Sequence, residues 1–333
     1  MSSRSTGSLN WGILSTAEIN DELLPGFRDS PAADLRAVAS RDLSRARAYA
    51  DEHGIPDAYG SYEELLADGS IDCVYIPVPN SLHGKWTRAA LEAGKHVLCE
   101  KPMTPTRKEA EELFELAEER GLSLMEAFMY RQHPAIRKLR EIVTDGRLGD
   151  IQVVRSWFHY KAVDPATDIR YRTDLAGGSL RDVGCYCLNF STYIYGRAPD
   201  QVCGFAGLAD SGVDEYFAAT LSFGSGSLAV FDCGMNSPLS MGARIMGSLG
   251  NATVAMPWYP HLGDDRVELE VDGKTELVQV TGGNSYRLEI ENFCAAVSGE
   301  EEPEVTREET LRNLGAMERL AESARVGSAG DKE

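Results

Sequence analysis

Lys101 stands between a glutamate and a proline, in Glu100-Lys101-Pro102, directly after the apolar run His96 to Cys99. A second polar loop, Pro77-Val78-Pro79-Asn80-Ser81-Leu82-His83, follows the apolar run Cys73 to Ile76. Both runs read as parallel strands, and open α/β sheets bind ligands at the carboxyl ends of such strands. A lysine held there before a chain-stiffening proline can reach a reacting centre, whereas a loop lysine without a task is a solvated charge. Pro77, Asn80, Leu82, His83 and Glu100 on these loops are candidate contacts to a bound cofactor. The turn after the first apolar strand reads Gly12-Ile13-Leu14-Ser15-Thr16-Ala17-Glu18-Ile19-Asn20. Set against the G-x-G-x-x-G of dinucleotide loops, Ser15, Ala17 and Asn20 take the glycine places. Phosphates bond to backbone N–H groups at a helix start, so small side chains still admit them, and Ser15, Thr16, Ala17, Glu18 and Ile19 form the candidate cradle. After the second strand comes Ala39-Ser40-Arg41, with Arg45 one helical turn on. A free ribose 2′-hydroxyl calls for an acid at that place. A hydroxyl and two guanidiniums suit a 2′-phosphate instead, since arginine pairs with phosphate in bidentate fashion. The pattern favours NADP over NAD; the plain alternative is that Arg41 only solvates a helix start.

These residues need a scaffold, and residues 9 to 127 provide a regular alternation. Asn10 to Leu14, Leu35 to Ala39, Cys73 to Ile76, His96 to Cys99 and Ser123 to Ala127 read as strands. Helical patterns lie between them: Ala17 to Leu24, Ser44 to His53, Ser61 to Ala67 with Ser61 as N-cap, His83 to Ala93, and Lys108 to Arg120. Apolar strands alternating with amphipathic helices predict a doubly wound parallel sheet. From residue 129 the rhythm changes. After a helix at Pro134 to Asp145, strands are expected at Ile151–Tyr160, Asp200–Leu208, Tyr216–Ser222, Ser227–Gly234, Ala243–Leu249 and Val267–Val271. Helices return at Tyr286–Val297 and Arg307–Ala324, and the tail GSAGDKE is expected to fray. The fold class is thus α/β, with a dinucleotide-binding Rossmann domain over 1–128. A substrate-binding and oligomerisation α+β domain with a large open, mostly antiparallel sheet occupies 129–333. The segments Tyr160 to Arg172 and Met256 to Leu262 are the loops expected to carry substrate-pocket side chains.

The bulk numbers narrow the function classes. A chain of 333 residues with 43% hydrophobic residues can bury two cores. Its formal charge of −19 makes nucleic acid and anionic membrane surfaces poor partners. Of its 33 basic residues, 8 are Lys and 25 Arg, a balance that fits either a salt-adapted source or a GC-rich genome. Seven scattered cysteines without CxxC pairs argue against a disulfide framework or a zinc site, so no metal is expected. No apolar run is long enough to span a bilayer, and the start MSSRSTGS lacks the apolar core of a secretion signal, so the cytoplasm is expected.

The strings AGKHVLCEKP, IPVPNSLHGKW and Gly177-Gly178-Ser179-Leu180-Arg181-Asp182-Val183-Gly184-Cys185-Tyr186 resemble the glucose–fructose oxidoreductase/inositol dehydrogenase family, Gfo/Idh/MocA. Matching segments run from about residue 10 to residue 325, and EKP together with GG-x-x-x-D-x-G-x-Y is a specific combination. The resemblance implies that Lys101 is the active-site lysine. Asp182 and Tyr186 match the D-x-x-x-H/Y motif, whose last residue donates or accepts the proton. Asp182 would orient substrate hydroxyls. Tyr186, with the segments MEAFMYRQHP, DVGCYCLN and ASRD, is similar to the NADP-dependent xylose dehydrogenase and dihydrodiol dehydrogenase branch. In the same segments Arg131 is a candidate cofactor contact and His133 a packing or supporting residue. Ser15-Thr16-Ala17 departs from the family's usual glycines. The pairing also makes chemical sense by itself: a tyrosine of pKa about 10 is a poor base at neutral pH, and a nearby ammonium lowers that value by stabilising phenolate.

The expected activity is therefore NADP-dependent hydride transfer from a sugar or polyol, most simply an aldose 1-dehydrogenase giving a lactone. The alternatives are a dihydrodiol dehydrogenase, a keto-sugar reductase, or a non-catalytic nucleotide-binding protein on the same fold. An open sheet in the second half further predicts a homodimer or homotetramer.

Overall fold

The computed structural model describes residues 7–162, 164–260 and 266–326; the polar start over 1–6, the end of the 256–262 loop and the tail at 327–333 lie outside them. The chain forms two compact units. In the first, β1 (Leu9–Leu14), β2 (Ala33–Ala39), β3 (Asp57–Tyr59), β4 (Cys73–Ile76), β5 (His96–Glu100) and β6 (Leu124–Ala127) make a parallel sheet in the order β3-β2-β1-β4-β5-β6. β4 and β6 are buried throughout and β1 and β5 over most of their length, as their apolar runs require. The intervening helices are α1 (Asn20–Asp29), α2 (Leu43–His53), α3 (Tyr62–Leu66), α4 (His83–Glu92) and α5 (Arg107–Arg120). Their ends follow local chemistry. Asp42 caps α2 by accepting from the Ser44 and Arg45 amides, and Ser61 caps α3 by accepting from the Glu64 amide. Short β3 has too few residues to show a period and is absent from the sequence pattern.

The second unit starts with α6 (Pro134–Thr144), capped by His133, whose Nδ1 accepts from the Ala135 amide at 3.2 Å. It continues through β7 (Ile151–Lys161), α7 (Cys185–Tyr195), β8 (Gln201–Leu208), β9 (Asp214–Ser222), β10 (Leu228–Gly234) and β11 (Asn236–Gly247). β12 (Gly250–Val254), β13 (Arg266–Val271) and β14 (Lys274–Gln279) follow. With β15 (Arg325–Val326) these strands make a nine-stranded sheet in the order β14-β13-β12-β11-β7-β10-β9-β8-β15. All pairs are antiparallel except β7 with β10 and β8 with β15. One face of the sheet carries α7; on the other, register aligns Phe205, Ala218, Asp232, Trp157 and Gly242 in one open row. Gly242 leaves room for the Trp157 ring, which a Cβ there would meet at 2.3 Å.

Besides β3, the elements α7, β12, β14 and β15 are absent from the expectation, and β11 begins at Asn236 rather than Ala243. α7 reads as no element because CYCLNFSTYIY is apolar nearly all round and has no polar stripe to reveal a helix; it is buried almost throughout. β14 is exposed along most of its length, so it has no alternation to detect. The division between units also differs from a single cut at residue 128. After β14 the chain forms α8 (Ser285–Ser298), and the whole segment Asn284–Arg307 joins the first unit, before α9 (Arg307–Ser323) completes the second. α8 is capped by Asn284, which accepts from the Tyr286 and Arg287 amides. Its Phe293 ring sits 5.4 Å from Trp11 of β1, which in turn meets Phe27 of α1 at 5.3 Å.

The close crossing of α1 and α8 rests on Gly26, where a Cβ would lie 2.8 Å from the Arg287 backbone nitrogen. Helix propensity alone makes Gly26→Ala favourable by about 1 kcal/mol. We expect the reverse, a loss of about 1–3 kcal/mol in denaturant unfolding, because backbone cannot yield to the new methyl. A stabilised variant would contradict the crossing.

Candidate active site

In the first unit the candidate residues gather on the loops at the carboxyl edge of the parallel sheet. Ser15 leaves β1 with φ 147°, a conformation open to glycine but costing other residues about 1–3 kcal/mol. Two hydrogen bonds hold it: the Ser15 hydroxyl donates to the Pro77 carbonyl at 3.0 Å, and the Asn20 amide donates to the Ser15 carbonyl at 2.9 Å. Asn20 is fully buried. Where a dinucleotide loop ordinarily has glycine, this one closes with an asparagine side chain. The amides of Thr16, Ala17, Glu18 and Ile19 have no acceptor among the described residues, and α1 has no side-chain cap. They form an unclaimed row of donors at a helix start, the chemistry that binds a pyrophosphate.

After β2, Ser40 is buried while Arg41 and Arg45 are exposed. Neither arginine makes an ion pair within 4.0 Å among the described residues, although the Arg45 charge helps to lower the Asp42 pKa; both lie near the Tyr62 phenol, whose pKa they lower against the larger effect of burial. Asp42, the one acid of this turn, is taken up as the α2 cap, with its carboxylate held below the ordinary range by the Ser44 hydroxyl and the Arg45 and Ser44 amides. Two unpaired guanidiniums and no available acid fit a 2′-phosphate.

Lys101 follows β5, and its peptide bond to Pro102 is cis. The preceding Glu100 accepts from the Tyr75 hydroxyl at 2.5 Å and from the Lys101 amide at 3.2 Å, so its carboxylate braces the lysine's own backbone. Fully buried Glu289 of α8 lies near Glu100; burial first and that charge second push its pKa well above the carboxylate range. No local pattern in the sequence marks Glu289.

Two of the expected cofactor contacts, His83 and Arg131, have protein partners in the structure. His83 is completely buried, with Nδ1 2.8 Å from the Pro102 carbonyl and Nε2 2.7 Å from the Val78 carbonyl. Its ring lies between the loop after β4 and the loop after β5. Arg131 is also buried and reaches the Glu304 carbonyl at 3.3 Å and its carboxylate at 3.5 Å. Asn80 and Leu82 form a half-buried 3₁₀ turn, and Pro77 contributes its carbonyl.

In the second unit Asp182 lies in a π-helical turn, Leu180–Gly184, that runs directly into α7, and Tyr186 follows in the first turn of that helix. Such turns concentrate at functional sites because they re-aim side chains. The Tyr186 ring is buried against Phe158 (5.6 Å) and Trp258 (5.9 Å). Asp182 accepts from the Tyr160 hydroxyl at 2.6 Å and pairs with Arg170 Nε at 3.3 Å. Burial and the Asp182 charge push the Tyr160 phenol far above its ordinary value, so it remains a protonated donor. Tyr160 closes the expected strand Ile151–Tyr160, and Asp168 and Arg170 carry no signal beyond lying in the expected substrate loop, because 3₁₀ turns have no period.

Comparison with known proteins identifies the family. The family model "Oxidoreductase family, NAD-binding Rossmann fold" (GFO_IDH_MocA) matches residues 9–128, and the GFO/IDH/MocA C-terminal domain matches residues 136–253. The chain is 41% identical over 323 residues to a D-xylose 1-dehydrogenase (NADP(+)) of Haloferax volcanii, covering 96% of this chain and 98% of the relative. It is 37% identical over 257 residues to the trans-1,2-dihydrobenzene-1,2-diol dehydrogenase of Sus scrofa, covering 76% of each. Among solved structures, a 3-ketoreductase from Actinomadura kijaniata in complex with NADP and TDP-benzene superposes with a TM-score of 0.89 at 30% identity, covering 96% of this chain and 98% of that one.

The buried His83 makes a measurable claim. Only the imidazolium could donate to both carbonyls, but burial outweighs those bonds and, with Lys101 nearby, lowers the pKa from 6.5 to about 4. The folded chain thus keeps the ring neutral where the unfolded chain protonates it. Stability is lost as the pH falls through this window, by on the order of 3 kcal/mol at the acid end. His83→Asn should show a shallower fall in denaturant midpoint than the unsubstituted chain between about pH 7 and about pH 4. Equal slopes would mean that the ring is not held neutral.

Proposed function

The chain belongs to the GFO/IDH/MocA oxidoreductase family, and from that premise we propose that it is an NADP-dependent aldose 1-dehydrogenase, oxidising a free sugar of the xylose or glucose type to its lactone. The observation that carries this reading is the likeness, over nearly the whole of both chains, to the xylose dehydrogenase of Haloferax volcanii. The unpaired Arg41 and Arg45 support the choice of NADP from this chain's own chemistry.

Bound NADP⁺ would supply the hydride acceptor. The amides of Thr16 to Ile19 would hold its pyrophosphate, and Ser40, Arg41 and Arg45 its 2′-phosphate. Tyr186 would take the proton from the reacting hydroxyl, and Lys101 is the lysine that the family motif assigns to the reaction. Asp182 holds Tyr160 and Arg170 beside that tyrosine's helix. Reduction would use the same groups in reverse. The free state of all seven cysteines supports work in a reducing cytoplasm, and no described helix is long and apolar enough to cross a membrane.

We further propose a homodimer joined through the open face of the nine-stranded sheet. Phe205 and Tyr216 are 54% and 43% exposed on that face, beside half-buried Trp157 and Val230. A second copy would remove them from water.

NADPH formation should appear with D-xylose or D-glucose and NADP⁺. Tyr186→Phe and Lys101→Ala should each lower kcat by about 10²–10⁴-fold. Replacing Arg41 and Arg45 together by alanine should raise KM for NADP⁺ about ten- to a hundredfold and leave that for NAD⁺ little changed. Turnover confined to dihydrodiols or keto-sugars would move the substrate to the alternatives, and turnover that survives Tyr186→Phe would remove the proton-transfer role. In light scattering the protein should have at least twice its 36.4 kDa chain mass, and Phe205→Asp should return it to one chain. A monomer at working concentrations would end the dimer proposal.

A further inference from the structure

The family motif accounts for Asp182 and Tyr186 but not for what fixes the turn that carries them. Gly178 points to the group that does. It lies at φ 110°, and a Cβ there would meet Asp214 Oδ1 at 2.1 Å. The second glycine of the motif thus makes room for a carboxylate at the start of β9. Gly177 does the same for the 170 loop: a Cβ there would lie 2.2 Å from the Arg170 carbonyl oxygen, to which the Gly178 amide donates at 2.9 Å.

An irregularity in the sheet brings Asp214 to this turn. β8 and β9 pair in register as far as Gly207 with Tyr216, and the next pair is Leu208 with Asp214, so Glu215 is an extra residue. Neighbours on a regular strand point to opposite faces, and a bulge re-aims them. Here both acids meet the chain between Tyr171 and Leu180. Glu215 Oε1 accepts from the Tyr171 hydroxyl at 2.9 Å. Asp214 Oδ2 accepts from the Ser179 hydroxyl at 2.8 Å and from the Leu180 amide at 2.6 Å. Ser179 is fully buried, and an amide at a helix start has no acceptor within its own helix. In the same turn the Asp182 amide donates to the Gly178 carbonyl at 3.0 Å. Asp182 follows Leu180 by two residues and Tyr186 by six, without a break between the π-helical turn and α7.

We infer that Asp214 is a positioning residue for the reaction: from the bulge on β9 its Oδ2 takes both donors at the start of the π-helical turn and so sets the aim of Asp182 and Tyr186. The inference rests on the reading that Tyr186 moves the proton. Asp214 acts through the backbone that it holds and not on the substrate. A displacement of about 1 Å at a reacting group costs on the order of a hundredfold in rate. What the role requires is one well-placed acceptor oxygen, which a neutral amide also provides.

The test measures oxidation of D-xylose and D-glucose by NADP⁺ and binding of NADPH by its fluorescence. Asp214→Ala should lower kcat about ten- to a hundredfold, with KM for NADP⁺ and Kd for NADPH changed less than about twofold. Asp214→Asn, which can offer its amide oxygen to the same two donors, should keep kcat within about threefold of the unsubstituted chain. In a Tyr186→Phe chain, Asp214→Ala should change the residual rate less than about threefold, because the group that it aims is already gone. Thermal unfolding identifies a variant that has lost its fold. If Asp214→Ala does so, Ser179→Ala replaces it, with an expected fall in kcat of about three- to tenfold that also disappears in the Tyr186→Phe chain. Unchanged kcat, losses that multiply in the double variant, or an Asp214→Asn chain as slow as Asp214→Ala would overturn the inference and leave the proposed function standing. Turnover that survives Tyr186→Phe, or an unsubstituted protein that oxidises neither sugar, would overturn the proposed function, and the inference with it.

Discussion

The close approach of the Arg170 carbonyl to Gly177 is the contact on which the second unit's chemistry depends. No side chain larger than hydrogen fits there, since a Cβ would lie 2.2 Å from the oxygen. Because the backbones can meet, the irregular chain between β7 and α7 folds onto the helix start rather than away from it. Asp182 then finds Tyr160 and Arg170 within hydrogen-bonding range, and Tyr186, four residues on, emerges against Phe158 and Trp258. The glycine pair of the motif is thus a packing requirement with a chemical result: it determines which side chains share the patch with the tyrosine.

The first unit solves the opposite problem. Its turn after β1 lacks the usual glycines and has to hold a serine at φ 147°. The strain is offset by the Ser15–Pro77 and Asn20–Ser15 bonds, each worth about 1 kcal/mol in net terms. Those bonds use side-chain donors and so leave the amides of residues 16–19 unspent. The same economy recurs after β2, where Asp42 is used as a helix cap and therefore cannot meet a ribose hydroxyl. In both places a side chain that reads as a departure from a dinucleotide motif does structural work that keeps the site's donors available.

These facts divide what was legible in the sequence from what was not. The parallel strands, the Ser61 cap of α3, the loop lysine and the arginine pair are local, because a period of two or 3.6 residues and a cap are written within a dozen residues. α7 was hidden because its apolar surface has no polar face to betray a helix. His83 and Arg131 lie where ligand contacts are expected, yet both are buried and bonded to protein, and only three-dimensional packing distinguishes a polar side chain that meets a ligand from one that ties two loops. Tyr160, Asp168 and Arg170 were unreadable for a third reason: their meeting with Asp182 depends on a loop closure whose cause, Gly177, is remote from two of them along the chain.

The return of Asn284–Arg307 to the first unit ties that unit's completion to the order of synthesis. During translation Trp11 and Phe27 leave the ribosome long before Phe293, whose ring also packs on the tryptophan. At elongation rates of about 5–20 residues per second the nascent Rossmann sheet stands for on the order of ten seconds or more without α8. The whole of β7 to β14 is made in that interval. The first unit to emerge is therefore completed only shortly before the second, and until then its incomplete apolar face is a natural client surface for holding chaperones.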